Sequence, residues 1–277
     1  MEPYRNKSSV EEIRERFEHD VERFSDLHTG QVSTVDAPLA MELITRAAAV
    51  ATHPVRRILD IGCGAGNNTL KLLELTPGAE CTLVDLAGAM VERAVERVKR
   101  AGAGKVTGIQ GDFRETALPE RGFDVILAAA VLHHLRGDED WERAFQKLYA
   151  LTAPGGSVWI TDLISHEIPA VERMMFDRYC GYLESVGGAE YRGKVAASIA
   201  KEDSPRPVTY QLELLRRSGF SRVDCCTRIR HSPHSARGRA YRIQTAAASS
   251  SSSSFPGCPA VSSRLRSSRE INPSATP

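Results

Sequence analysis

The plainest chemical pattern in this 277-residue chain is the run Asp60-Ile61-Gly62-Cys63-Gly64-Ala65-Gly66-Asn67. Ile58, Leu59 and Ile61 form the apolar run of a buried parallel strand. Three glycines at alternate positions then strip the following turn of side chains that would hold a ligand off the backbone. A helix opening beyond such a turn aims its unpaired N–H groups at the same place, so the segment suits a nucleotide-like ligand. A dinucleotide-binding GxGxxG turn needs its third glycine where Asn67 stands, so the spacing is GxGxG with an acid, Asp60, two residues ahead of the first glycine. Asp85 closes the apolar run Cys81-Thr82-Leu83-Val84, at the separation of roughly 20 residues from which a carboxylate reaches both ribose hydroxyls.

These residues need a scaffold, and the chain alternates strand and helix patterns as a doubly wound parallel α/β sheet requires. Further strands are expected at Val106–Gln110, from Phe123 toward Leu132, and after the Pro154-Gly155-Gly156 turn through Ile160. Ahead of them, Ile13, Phe17, Val21 and Phe24 recur at helical steps and predict one amphipathic helix over Val10 to Leu27. A second helix is expected over 36–50. Residues 1–50 therefore read as a helical cap and 51–224 as the ligand-binding domain, with 164–206 interrupting the alternation as an insertion. Val208 to Ser218 reads as a helix closed by Gly219, and Phe220-Ser221-Arg222-Val223-Asp224 as the start of a sixth strand.

Five segments in order resemble the motifs of the class I S-adenosylmethionine (SAM)-dependent methyltransferases: the glycine turn, Cys81–Asp85, Val106–Phe113, Phe123–Leu135 and Pro154–Ile160. The resemblance covers about residues 12 to 224. It implies a Rossmann-like, mostly parallel sheet, SAM as cofactor, and methyl transfer to a small-molecule acceptor by in-line displacement. It also implies that Asp60, Gly62, Cys63, Gly64, Asp85, Leu86, Met90, Gly111, Asp112, Phe113 and Ala129 form the cofactor side. Asp85 would take the ribose, Asp112 the adenine amino group and Phe113 the ring face, with Gly62, Gly64 and Ala129 along the methionine part. His133 and His134 are candidates for a catalytic base or for a pair that packs on the cofactor. The segment Arg16–Phe24 is similar to one in carboxy-SAM synthases, which modify SAM with prephenate, so that activity is a second reading. A SAM-binding module without catalysis is a third.

The insertion is expected to set specificity. Met174, Met175, Phe176, Tyr179 and Tyr182 are candidates for an apolar pocket, and Arg178, Arg192, Lys194 and Arg206 for holding an anionic substrate.

Composition fits a soluble cytoplasmic enzyme: 42% of residues are hydrophobic, the start has no apolar leader pattern, and the longest apolar run is too short to span a bilayer. The six cysteines lack metal or disulfide spacing, so no metal is expected, and Cys63 and Cys81 read as small buried residues. Residues 1–224 carry 28 basic and 34 acidic residues, which argues against nucleic acid as a partner. From Cys225 on there are eight arginines, no lysine and one acid, followed by a serine run from Ser249 to Ser254. This stretch reads as an Arg/Ser-rich disordered tail or as a translation in a shifted frame. One coding of residues 225–237, read with a single base restored ahead of it, gives an apolar segment of the kind a seventh strand needs. The sheet is accordingly expected to have an incomplete or atypical C-terminal strand pair.

Overall fold

The computed structural model describes residues 6–26 and 30–226. Its centre is a five-stranded parallel sheet in the order β3-β2-β1-β4-β5. The strands are β1 (Arg57–Ile61), β2 (Glu80–Asp85), β3 (Val106–Gln110), β4 (Phe123–Ala129) and β5 (Thr152–Thr161). The direction of strand addition reverses between β1 and β4, and β1 pairs in parallel with both β2 and β4, Ile58 facing Cys81 on one side and Val125 on the other. A crevice opens at the carboxyl ends of strands where a doubly wound sheet switches direction, and this is where such folds bind ligands.

Side-chain alternation sorts each strand between two cores. Leu59, Ile61, Ile126, Ala128, Val158 and Ile160 face α6 (Asp138–Leu151) and α8 (Val208–Ser218), packing on Trp141, Phe145, Leu148, Leu214 and Leu215. Ile58, Cys81, Leu83, Val125, Leu127 and Trp159 face α3 (Ala37–Ala51), α4 (Asn67–Leu73) and α5 (Gly88–Arg100). Both faces of the inner strands are covered, as a parallel sheet requires, while the edge strand β3 is only partly buried.

The N-terminal cap departs from the single expected helix. It forms α1 (Val10–Glu18), started by a Ser9–Glu12 capping box, and α2 (Val21–Ser25), with a break at His19-Asp20. The bend brings the Phe17 and Phe24 rings to 5.6 Å, and Leu27 lies outside the described residues. The insertion forms α7 (Pro169–Glu202), two helical stretches joined at Gly188, whose φ of 79° interrupts the helix. Its two ends meet again where Ser165 bridges Pro207, so the insertion leaves and rejoins the sheet at one point.

The sixth strand expected from Phe220 is not formed among the described residues. Phe220 turns into the core, its ring edge-on to Tyr149 at 5.1 Å, and Val223 follows it inward. Residues 222–225 are irregular, and among the described residues nothing pairs the outer edge of β5. A segment whose apolar side chains pack downward without a continuing alternation has no ladder to extend. The tail from 227 on, with the shifted-frame reading placed there, lies outside the described residues. Among these, no helix is long and apolar enough to cross a membrane.

Candidate functional site

A cavity of about 960 Å³ sits over the carboxyl ends of β1, β2, β4 and β5, roofed by α1, α2 and α7. Its floor is the glycine turn. Gly64 adopts φ +50°, and a Cβ built there would meet nothing within 4 Å. A side chain at 64 would therefore stand in the cavity itself. Gly62, at φ +62°, lies so close to Val131 that a Cβ would approach its side chain to 2.6 Å.

Asp85 ends β2 beside this turn. Its carboxylate accepts from Gly64 N at 2.8 Å and from Ala87 N at 3.0 Å. Burial pushes its carboxyl above the ordinary aspartate range, against the pull of those N–H groups. Each oxygen retains a lone pair, the two acceptors that a ribose diol needs. Gly111 N donates to Asp85 O at 2.8 Å, which ties the end of β3 to the end of β2. Asp112 follows, gripped by the Arg114 guanidinium through both carboxylate oxygens, while Arg114 also reaches Asp140 at 2.9 Å. Cys63, Leu86, Met90, Phe113 and Ala129 complete the wall, so ten of the eleven expected cofactor-side residues share one cavity.

Asp60 is the exception. Strand alternation turns it away from the cavity toward α4, where it is fully buried and accepts from Thr69 Oγ1 at 2.7 Å. Its other oxygen has no partner, and burial pushes its carboxyl up to about 7. It braces the turn from behind and does not reach the ligand space. Cys63 and Cys81 have thiols raised by burial, Cys81 to about 12, which suits packing and not nucleophilic attack.

A short 3-10 turn, Leu132–His134, follows β4 and also lines the cavity. Ala130, just before it, holds φ 55°, a left-handed conformation unusual for a residue with a Cβ. His133 is buried. Its Nδ1 bonds to Asp162 Oδ1 and its main-chain N donates to the same carboxylate at 3.0 Å. On its other side Nε2 stands 3.7 Å from Asp203 Oδ1, and His134 Nδ1 stands 3.4 Å from that same oxygen. Burial opposes charge on His133, but the carboxylates of Asp162 and Asp203 outweigh it and raise the imidazole to about 9. Burial and the charge on His133 together push His134 well below the ordinary range, while burial pushes Asp203 up to about 6. His133 is thus an imidazolium clamped between two carboxylates at neutral pH, not a ready base. No metal was expected, yet folding gathers His133, His134 and Asp203 with donor atoms within 4.8 Å of one another.

Of the expected insertion residues, Phe176 and Tyr179 line the cavity, with Met175 and Lys194. Three do not. Arg178 is exposed, Arg192 is turned to Glu184 at 2.8 Å, and Tyr182 donates its hydroxyl to Val32 O at 2.7 Å, a strut between α7 and the segment before α3. Tyr179 makes the matching bond to Ser33 O at 2.8 Å while its ring stays at the cavity. Met174 is exposed, and Arg206 pairs with Asp138 at 2.6 Å.

Several contributors had no sign in the sequence. The Glu18 carboxylate at the end of α1 accepts from Gly88 N at 2.8 Å and Ala89 N at 3.0 Å, which holds it below the usual glutamate range. Helix α5 starts at Ala87-Gly88 with no side-chain cap of its own, so Glu18 takes that place. Asn67 donates to Phe24 O at 2.9 Å and accepts from Arg97 at 2.7 Å, pinning α2 over the glycine turn. Arg16 pairs with Glu202 at 2.6 Å and Ser8 N donates to Lys201 O at 2.9 Å, joining the cap to the end of α7.

Residues 58–156 match the model of a methyltransferase domain. The chain is 32% identical over 169 residues to the demethylmenaquinone methyltransferase of Thermus thermophilus, across 60% of this chain and 74% of that one. It is 33% identical over 126 residues to the malonyl-[acyl-carrier protein] O-methyltransferase of a Paenibacillus species, across 44% of this chain and 45% of that one. A SAM-dependent methyltransferase from Leishmania major shares the fold, with a TM-score of 0.56 at 15% identity over 86% of this chain and 82% of that one. The chain belongs to the class I SAM-dependent methyltransferase family, whose cofactor is SAM. It spans about a third to a half of the length of several of the curated relatives it matches.

Proposed function

We propose that the protein transfers the methyl group of SAM to a small-molecule acceptor by in-line displacement. The observation that carries this reading is a single cavity lined by Gly64, Asp85, Asp112 and Phe113 and also by His133, His134 and Asp203. Asp85 accepts the ribose hydroxyls, and Asp112 and Phe113 take the adenine. Gly62, Gly64, Cys63 and Ala129 leave room for the methionine part, with Leu86 and Met90 beneath.

The sulfonium is an activated donor, so the chain's task is to hold the acceptor in line with the methyl carbon and to exclude water. The acceptor's lone pair forms the new bond to carbon as the carbon–sulfur bond breaks, leaving its electron pair on sulfur as S-adenosylhomocysteine. The acceptor enters between α7 and the His133–Asp203 end, with Phe176, Tyr179 and Phe17 as apolar contacts. Both curated relatives named above act on acceptors by their printed names, demethylmenaquinone and a malonyl carrier, which supports a small or carrier-bound acceptor here.

The test is conversion of SAM to S-adenosylhomocysteine against a panel of phenols, carboxylates, thiols and amines. Methylated product with equimolar S-adenosylhomocysteine is expected. SAM binding without turnover on any of them would favour a non-catalytic module. A carboxylated SAM found bound to the purified protein would favour the carboxy-SAM synthase reading, which retains Lys194 as its cation.

A further inference from the structure

We infer that His133, His134 and Asp203 form a binding site for one divalent first-row transition-metal ion at the acceptor end of the cavity. The donor set is two imidazole nitrogens and one carboxylate oxygen, which suits zinc, cobalt, iron or manganese more than calcium or magnesium. Metal bonds of roughly 2.1 Å at tetrahedral or octahedral angles separate neighbouring donors by roughly 3.0–3.4 Å. Here His134 Nδ1 and Asp203 Oδ1 are 3.4 Å apart, and His133 Nε2 and the same oxygen 3.7 Å. These two pairs stand within a few tenths of an ångström of that range, and all three donor atoms lie within 4.8 Å of one another.

The surroundings are those of a metal-bound histidine. Asp162 holds His133 Nδ1 from behind, which fixes the ring and aims Nε2 at Asp203; carboxylate–histidine pairs of this kind orient ligands in metal sites. His134 Nδ1 lies 3.4 Å from both Glu202 O and Asp203 Oδ1, so the ring is already aimed at the carboxylate. The neighbouring cations are engaged elsewhere: Arg16 on Glu202, Arg136 on Glu202 O and Ser8 O, and Lys7 on Ala200 O and Asp203 O. All three donors line the cavity, which leaves coordination positions facing the acceptor.

The catalytic consequence rests on the methyltransferase reading, although metal binding itself does not. An acceptor hydroxyl bound to the ion loses its proton to solvent more readily and meets the methyl carbon as a metal-held oxygen anion.

The test uses the full chain, stripped with a chelator and titrated with Co2+ and with Zn2+. One equivalent of Co2+ with d–d absorption of nitrogen and oxygen ligation is expected in the unaltered protein. Affinity should fall at least tenfold in His134→Ala and in Asp203→Asn, while Cys225→Ser and Cys226→Ser leave it unchanged. SAM affinity, measured in the same samples, should change little and reports folding. Absence of a saturable cobalt spectrum in the unaltered protein overturns the site whatever the variants do. So does a spectrum that both His134→Ala and Asp203→Asn leave intact. Metal binding without methyl transfer, or methyl transfer that chelators do not affect, separates failure of the methyltransferase reading from failure of the site.

Discussion

On the cofactor side, the main-chain N–H groups of Gly64, Ala87 and Gly111 all donate to Asp85, two to its carboxylate and one to its carbonyl, within adjacent strand ends. On the acceptor side, Asp203 reaches His133 and His134 only after the chain has left the sheet, run through α7 and returned beside Ser165. One half is set by short-range backbone geometry and the other by side chains distant in sequence. The first half accommodates a fixed ligand, whereas α7 and the cap can vary without disturbing it. This is the division expected where one cofactor serves many acceptors.

The comparison breaks most visibly behind the glycine turn. Asp60 has a folded value of about 7, above the roughly 3.9 of an unfolded chain, so the folded protein holds its proton more tightly. Stability from this group is therefore full below about pH 4 and is lost as pH rises toward 7, by up to about 4 kcal/mol. Urea midpoints taken from pH 4.5 to 7.5 should fall more steeply in the unaltered protein than in Asp60→Asn; parallel curves would remove this assignment. Gly62→Val adds a branched side chain at a positive φ against Val131 and should cost about 3 kcal/mol in the same assay. No loss would mean that the turn is softer than described.

How far each half could be read from the sequence follows the same division. The strand–turn–helix around Gly62, the acid at Asp85 and the order of the strands were legible because local periodicity and spacing encode them. Asp60 was misplaced to the ligand side because its neighbourhood to the glycines says nothing of which face its side chain takes; strand alternation does. Glu18, Asp162 and Asp203 gave no signal, because an acid becomes functional there only when distant segments close on it. The expected single cap helix failed at His19-Asp20, where an amphipathic pattern continued across a bend that tertiary packing imposes. The expected sixth strand failed because Phe220 and Val223 pack into the core and no edge-pairing pattern follows.

Smaller effects sharpen the comparison at the joint between the halves. Glu18→Ala removes the cap that α1 places on α5 and should cost about 1 kcal/mol. Hydrogen exchange should quicken in both α1 and the first turn of α5; faster exchange in neither would mean that the cap is held by Asn67 and by Arg93, which donates to Ser25 Oγ at 2.9 Å. Tyr182→Phe removes one bond to Val32 O and should cost about 0.5–1.5 kcal/mol in thermal unfolding, with SAM affinity unchanged. A weakened SAM affinity would show that the insertion shapes the cofactor half after all.

The central claim is that Asp85, held by the glycine turn, anchors SAM in this cavity, and calorimetric titration of SAM into the unaltered protein and into Asp85→Ala tests it most directly. One site per chain is expected, with binding weaker by roughly 1.5–3 kcal/mol in the variant, the range for hydrogen bonds to a charged acceptor. Equal affinity in the two proteins, with both folded, would contradict it.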